Sequence, residues 1–165
     1  MEREHAQGAV SEIPSKQLVP EHKPNHEAKC LSPVRTMSMN YDEFSESIEE
    51  SDLEGLLSHW DFTPPAGALR RMLQGSSIAI VAREPGSSQV IGYVAALTDK
   101  VVCGYISALE VRPERRQQGI GTALLHRVTQ RLDVHGIYLS CAPAMIPFYE
   151  AAGFKRVAGM TKRRQ

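Results

Sequence analysis

The stretch LEVRPERRQQGIGTALL, residues 109–125, decides how the rest of the chain is read. An apolar run ends at Val111, charged and amide residues follow, and apolar residues then recur at helical spacing. Ile120, Ala123, Leu124, Val128 and Leu132 share one face, with Arg127, Gln130 and Arg131 outside it. The pattern predicts a strand, a loop, and a helix whose first turn holds Gly119 and Gly121. Glycines there bare backbone N–H groups that have no acceptor inside the helix. The helix dipole adds positive potential at the same end, so the turn is an anion site suited to a pyrophosphate. Arg112, Arg115 and Arg116 outnumber Glu114 and offer charge to a further phosphate.

Spacing narrows the ligand. A dinucleotide-binding turn places G-x-G-x-x-G directly after its strand, whereas these glycines lie well beyond Val111 and the third glycine position is Leu124. A Walker loop follows its second glycine with Lys and then Ser or Thr; Gly121 is followed by Thr122 and Ala123. A glycine-rich helix start with no ligand stays open on the loop alone.

Upstream, Ser51-Asp52-Leu53-Glu54 reads as a capping box, and Leu53, Leu56, Leu57 and Trp60 then fall on one helical face. Thr63-Pro64-Pro65 restarts a helix with Leu69, Met72 and Leu73 on its apolar side and Gly75 at its end. Strands are expected at 34–41, Ile78–Ala82, Val90–Leu97 and Cys103–Val111, with turns at EPGSS and Thr98-Asp99-Lys100. Downstream come a buried strand at Ile137–Cys141, a helix at Ala144–Ala152 capped by Gly153, and closing strands at Phe154–Val157 and Gly159–Arg164.

The 165 residues suit one domain plus a tail. Residues 1–33, rich in Glu, Lys, His, Pro and Ser, have too little apolar surface to offset ordering entropy and read as a mobile tail. His22, His26 and Cys30 are four apart but lack a fourth ligand, and Pro24 interrupts them, so no zinc site is expected; His59, His126 and His135 form no cluster either. Nineteen basic residues against nineteen acidic ones argue against a nucleic-acid binder. No apolar run is long enough to span a membrane. The N-terminus lacks an apolar leader core, and three widely spaced cysteines fit a reducing, cytoplasmic setting.

Two motifs now stand together. Arg116, Gly119 and Gly121 match Q/R-x-x-G-x-G/A, and Phe148-Tyr149-Glu150-Ala151-Ala152-Gly153-Phe154 resembles FYexxGF. Both are signatures of the GNAT superfamily of N-acetyltransferases, which the chain resembles over roughly residues 34–164. Trp60, Pro64-Pro65, Leu109-Glu110-Val111 and Cys141 further resemble a group of short bacterial members. The resemblance implies an α/β (α+β) fold over 34–165: a central mixed, mostly antiparallel twisted sheet of about six to seven strands, flanked by about four helices.

It also implies a mechanism. The pantetheine arm of acetyl-coenzyme A lies between strands 103–111 and 137–141, against the backbone of Leu109, Glu110 and Val111. The pyrophosphate meets Arg116 and the amides of Gln117, Gln118, Gly119, Ile120, Gly121 and Thr122. A primary amine, on a small molecule or a protein, enters from the opposite side and attacks the thioester directly. A backbone N–H near Leu109 polarises the carbonyl. Tyr149 is the implied general acid, since a phenol is protonated at neutral pH and able to donate.

The base is open. Glu110 is the nearest carboxylate, but strand alternation turns it away from Tyr105, Ser107 and Leu109 unless a bulge intervenes. Some family members carry a Glu where Ser140 stands, and relay through water is the alternative. Cys141 reads as core or cleft wall, Trp60 as core or acceptor pocket, and Phe62 as acceptor pocket. A non-catalytic acyl-coenzyme A sensor is the competing function, and a homodimer is compatible with the sequence.

Overall fold

The computed structural model describes residues 39–57, 64–65 and 67–162. The expected tail, residues 34–38 of the first strand, His59, Trp60 and Phe62 lie outside the described residues. Five strands form one sheet in chain order: β1 Asn40–Glu43, β2 Ile78–Arg83, β3 Val90–Thr98, β4 Cys103–Val111 and β5 Gly136–Leu139. The first four pair antiparallel, and β5 joins β4 in parallel. The parallel step needs a crossover, which is α2, Ile120–Arg131. The remaining helices are α1, Ala68–Gln74, and α3, Ile146–Ala151.

The sheet is covered on both faces. One carries Ile48, Leu53, Leu56, Leu69 and Leu73 against Val81, Val90, Tyr93, Ala95 and Ala108. The other packs Ile120, Leu124, Leu125 and Val128 of α2 on Ile80, Val94 and Ile106. Burial on both faces explains why β3 is an almost unbroken apolar run.

Several expectations are corrected. The sheet has five strands and the fold three α-helices among the described residues. The segment 154–162 forms no strand and is exposed almost throughout, since after Phe154 it offers only the isolated apolar residues Val157, Ala158 and Met160. The helix expected from Ser51 is a single 3₁₀ turn, Glu50–Leu53. Its capping box is Glu49 with Asp52, not Ser51 with Glu54. Gly55 at φ 81° and Leu57 at φ 66° take the chain into left-handed backbone and end the helical run. Gly67, at φ 68°, is the N-cap of α1, so Pro64 and Pro65 precede the helix rather than open it.

The β3–β4 turn is built around one carboxylate. Asp99 Oδ1 accepts the N–H groups of Val101 at 2.9 Å, Val102 at 2.8 Å and Cys103 at 2.9 Å. These bonds, that from Cys103 foremost, hold the Asp99 carboxyl below its ordinary value. A depressed carboxylate stabilises the fold above its unfolded-state pKa, and that contribution disappears as pH falls through the lower folded-state value. Asp99→Asn is therefore expected to lower the melting temperature at neutral pH. It should also flatten the loss of stability in acid, as a pair of thermal-melt series against pH would show.

Candidate active site

β4 and β5 part company halfway along. They pair from Cys103↔Gly136 to Ile106↔Leu139, and beyond that point β4 has no strand partner on this side among the described residues. The chain leaves β5 at Ser140 and turns into the 3₁₀ turn Pro143–Met145 and then α3. The result is a notch bordered by Ser107 to Val111 and by α3. Leu109, Val111, Phe148 and Tyr149 are half-buried around it. Pairing of these two strands thus ends short of Cys141, the expected end of the second strand.

The end of α2 lies beside that notch. Gly119 is its N-cap at φ 80°, a left-handed conformation that suits glycine, and no side chain caps the helix. Gln117 is left-handed too, at φ 60°. The first helical bond is Ala123 N–H to Gly119 O, at 2.9 Å. No amide from Gln117 to Thr122 donates to a carbonyl or side chain among the described residues. A ring of unengaged N–H groups at a helix start is an anion site.

Of the three arginines expected to add charge, the structure leaves one. Arg112 is buried, donating from Nε to Val90 O at 2.7 Å and from Nη2 to Glu54 O. Arg115 is paired with Glu84. Arg112 is thereby corrected from loop charge to a buried structural cation, and Arg115 has its charge partly balanced by Glu84. Arg116 is exposed and uses only Nε internally, donating to Val111 O at 3.0 Å.

Tyr149 sits in edge contact with Phe148 at 4.9 Å and Phe154 at 5.9 Å between ring centres. Burial, and then the neighbouring Cys141, push its phenol above the usual value, so it stays protonated at neutral pH. Cys141 itself is exposed, which favours the cleft wall over the core.

Glu110 is re-aimed by a bulge. Ala95 pairs with Ala108 but Ala96 with Ile106, so Ser107 is the extra residue. Ile106 and Leu109 therefore both face α2, while Ala108 packs on the opposite face. Glu110 follows Ala108, on the face that Tyr105 takes by alternation, and no longer points away from it. Its carboxylate accepts the Leu57 N–H and the Tyr93 hydroxyl. Strand register brings Tyr93 opposite Glu110; its place in an apolar run is no signal of that role. Among the described residues no group of His, Cys, Asp or Glu is placed to hold a metal, and no helix is long and apolar enough to cross a membrane.

A sheet edge left unpaired, an unengaged helix start beside it and a phenol held protonated by burial thus lie close together. The model of the Acetyltransferase (GNAT) family matches residues 36–154, and the chain belongs to that family, which uses acyl-coenzyme A. A candidate acetyltransferase of Deinococcus radiodurans R1 is 35% identical, with a TM-score of 0.71, covering 76% of this chain and 88% of its own. A GNAT-family acetyltransferase of Streptococcus pneumoniae TIGR4 is 20% identical, with a TM-score of 0.64, over 78% of this chain and 99% of its own. The structure of AAC(6')-Iy, in complex with a bisubstrate analogue of coenzyme A and acetylneamine, is similar at 17% identity and a TM-score of 0.60, covering 78% and 98%. These last two show the fold. No curated protein matches the chain.

Proposed function

We propose that the protein is an N-acetyltransferase that moves the acetyl group of acetyl-coenzyme A directly to a primary amine. The observation that carries this is the half-unpaired edge of β4 leading to the open amides of Gln117 to Thr122. A pantetheine arm is a chain of amides, and it pairs with a free strand edge as another strand would. Leu109 and Val111 supply that edge, since the alternation set by the Arg112–Ile91 bond turns the backbone of Glu110 toward β3. The pyrophosphate takes the amides of Gln117, Gln118, Gly119, Ile120, Gly121 and Thr122, and Arg116 stands beside it with its Nη groups unengaged by Val111. In this reading the thioester lies where the strands part, near Tyr149.

The amine attacks the thioester carbonyl, whose oxygen gains charge and is stabilised by a backbone N–H at Leu109. Collapse expels the coenzyme A thiolate, Tyr149 protonates it, and the proton shed by the amide nitrogen returns through water to the Tyr149 oxygen. The acceptor, an ammonium in water, loses its proton to water in the open cleft before attack. The α2 side is occupied by helix, so the acceptor arrives on the face of the sheet that carries α1.

Thiol release from acetyl-coenzyme A tests the reading, with 2-phenylethylamine, spermidine, glucosamine and a peptide with a free N-terminus as acceptors. Release with at least one amine is expected. Cofactor binding without release for any of them would instead identify an acyl-coenzyme A sensor.

A further inference from the structure

Glu110 joins three parts of the fold. Oε1 and Oε2 share the backbone N–H of Leu57, at 3.2 and 3.1 Å, and Oε2 accepts the hydroxyl of Tyr93 at 3.0 Å. Tyr93 is fully buried, and its phenol is pushed far up by burial and then by the charge of Glu110, so it remains a donor. Two residues on, just past the end of β4, Arg112 holds Glu54 O. The segment Glu54–Leu57 is therefore fastened at both ends, to Glu110 of β4 and to Arg112 just after it.

That segment needs fastening. Leu57 is left-handed without being glycine, a conformation in which its β-carbon crowds the following carbonyl. An N–H accepted by a charged oxygen offsets that crowding. What it holds is the wall of a cavity of about 460 Å³, lined by Leu56, Leu57, Pro65, Leu69 and Glu54 among others. The cavity lies on the α1 face of the sheet, away from α2 and its phosphate site.

We propose that Glu110, oriented by Tyr93, is a positioning residue for the amine acceptor: it fixes the Gly55–Leu57 turn that walls this cavity and does not take the amine's proton. The proposal rests on the acetyltransferase reading in placing the acceptor on this face. A carboxylate acting as base must collect a proton from the substrate. Protonating Glu110 would set a third donor among the two already aimed at it, from Leu57 and Tyr93.

Two measurements decide it. Amide hydrogen exchange read by NMR should show Leu57 protected in the native protein. Glu110→Ala should reduce that protection about tenfold or more, the range expected for losing a hydrogen bond to a charged group. In steady-state assays with the fastest amine of the panel, Glu110→Ala should raise the amine KM about tenfold, with kcat changed less than about threefold and the acetyl-coenzyme A KM unmoved. Glu110→Gln retains an oxygen acceptor and should recover most of the loss, and Tyr93→Phe should shift the amine KM in the same direction. Unchanged exchange at Leu57 in Glu110→Ala overturns the proposal. So does a fall in kcat of about a hundredfold in both Glu110 variants with loss of the acidic limb of the kcat profile, because that is the behaviour of a base. Absence of turnover in the unsubstituted protein counts against the acetyltransferase reading itself, and exchange at Leu57 still shows whether Glu110 holds the turn.

Discussion

Tyr149→Phe should cut turnover at least about tenfold while leaving acetyl-coenzyme A affinity within about twofold. The ring is already positioned by edge contacts with Phe148 and Phe154, and phenylalanine keeps both. Only the hydroxyl is lost. A coenzyme A thiol has an ordinary thiol pKa near ~8.5, so at neutral pH the departing sulfur takes a proton favourably, and a placed donor lowers the barrier. Burial and Cys141 keep the Tyr149 phenol protonated, so its own ionisation does not limit activity in the neutral range. The deficit of the variant should therefore narrow as pH rises past the thiol value, where a free thiolate leaves without help. A variant with wild-type kcat at pH 7, measured by direct thiol detection, would remove Tyr149 from the mechanism.

Much of this fold is legible in the sequence. β2, β3, β4 and α2 follow their periodicity to within a residue or two, because their apolar patterns are long and both faces of the sheet demand filling. The bare start of α2 is legible because it depends on backbone: a glycine N-cap and an uncapped first turn are written in the chain as Gly119 and Gly121. The missed features depend on contacts distant in sequence. Arg112 looks like loop charge, yet carbonyls of Glu54 and Val90 draw it inside. The run Leu53, Leu56, Leu57 looks helical, yet Gly55 turns left-handed and a carboxylate fifty-three residues away captures the Leu57 amide. Glu110 itself depends on one extra residue, Ser107, whose displacement leaves no mark in the pattern of β4. The closing strands were expected on short apolar runs, and such runs form strands only where an edge accepts them.

Gly121→Asp should separate the cofactor site from the fold most sharply, by abolishing acetyl-coenzyme A binding without unfolding the protein. Gly121 is the second residue of α2, and its φ is not left-handed. A β-carbon there would meet Val111 Cγ2 at 3.7 Å and Phe148 Cζ at 3.8 Å, which is ordinary contact. An aspartate in a first helical turn also complements the dipole, typically by about 0.3–1 kcal/mol. The melting temperature of the free protein should then hold or rise. The same carboxylate would stand among the amides that receive the pyrophosphate. Two unit charges about 4 Å apart at a protein surface repel by up to about 4 kcal/mol, so the dissociation constant should increase about a hundredfold or more. Gly121→Ala adds the contact without the charge and should cost less than about tenfold, which assigns the difference to electrostatics. Raised salt should restore part of the aspartate variant's affinity. Calorimetric titration with acetyl-coenzyme A reads all three proteins, and equal affinity in the wild type and the aspartate variant would mean that the phosphates bind elsewhere than at the start of α2.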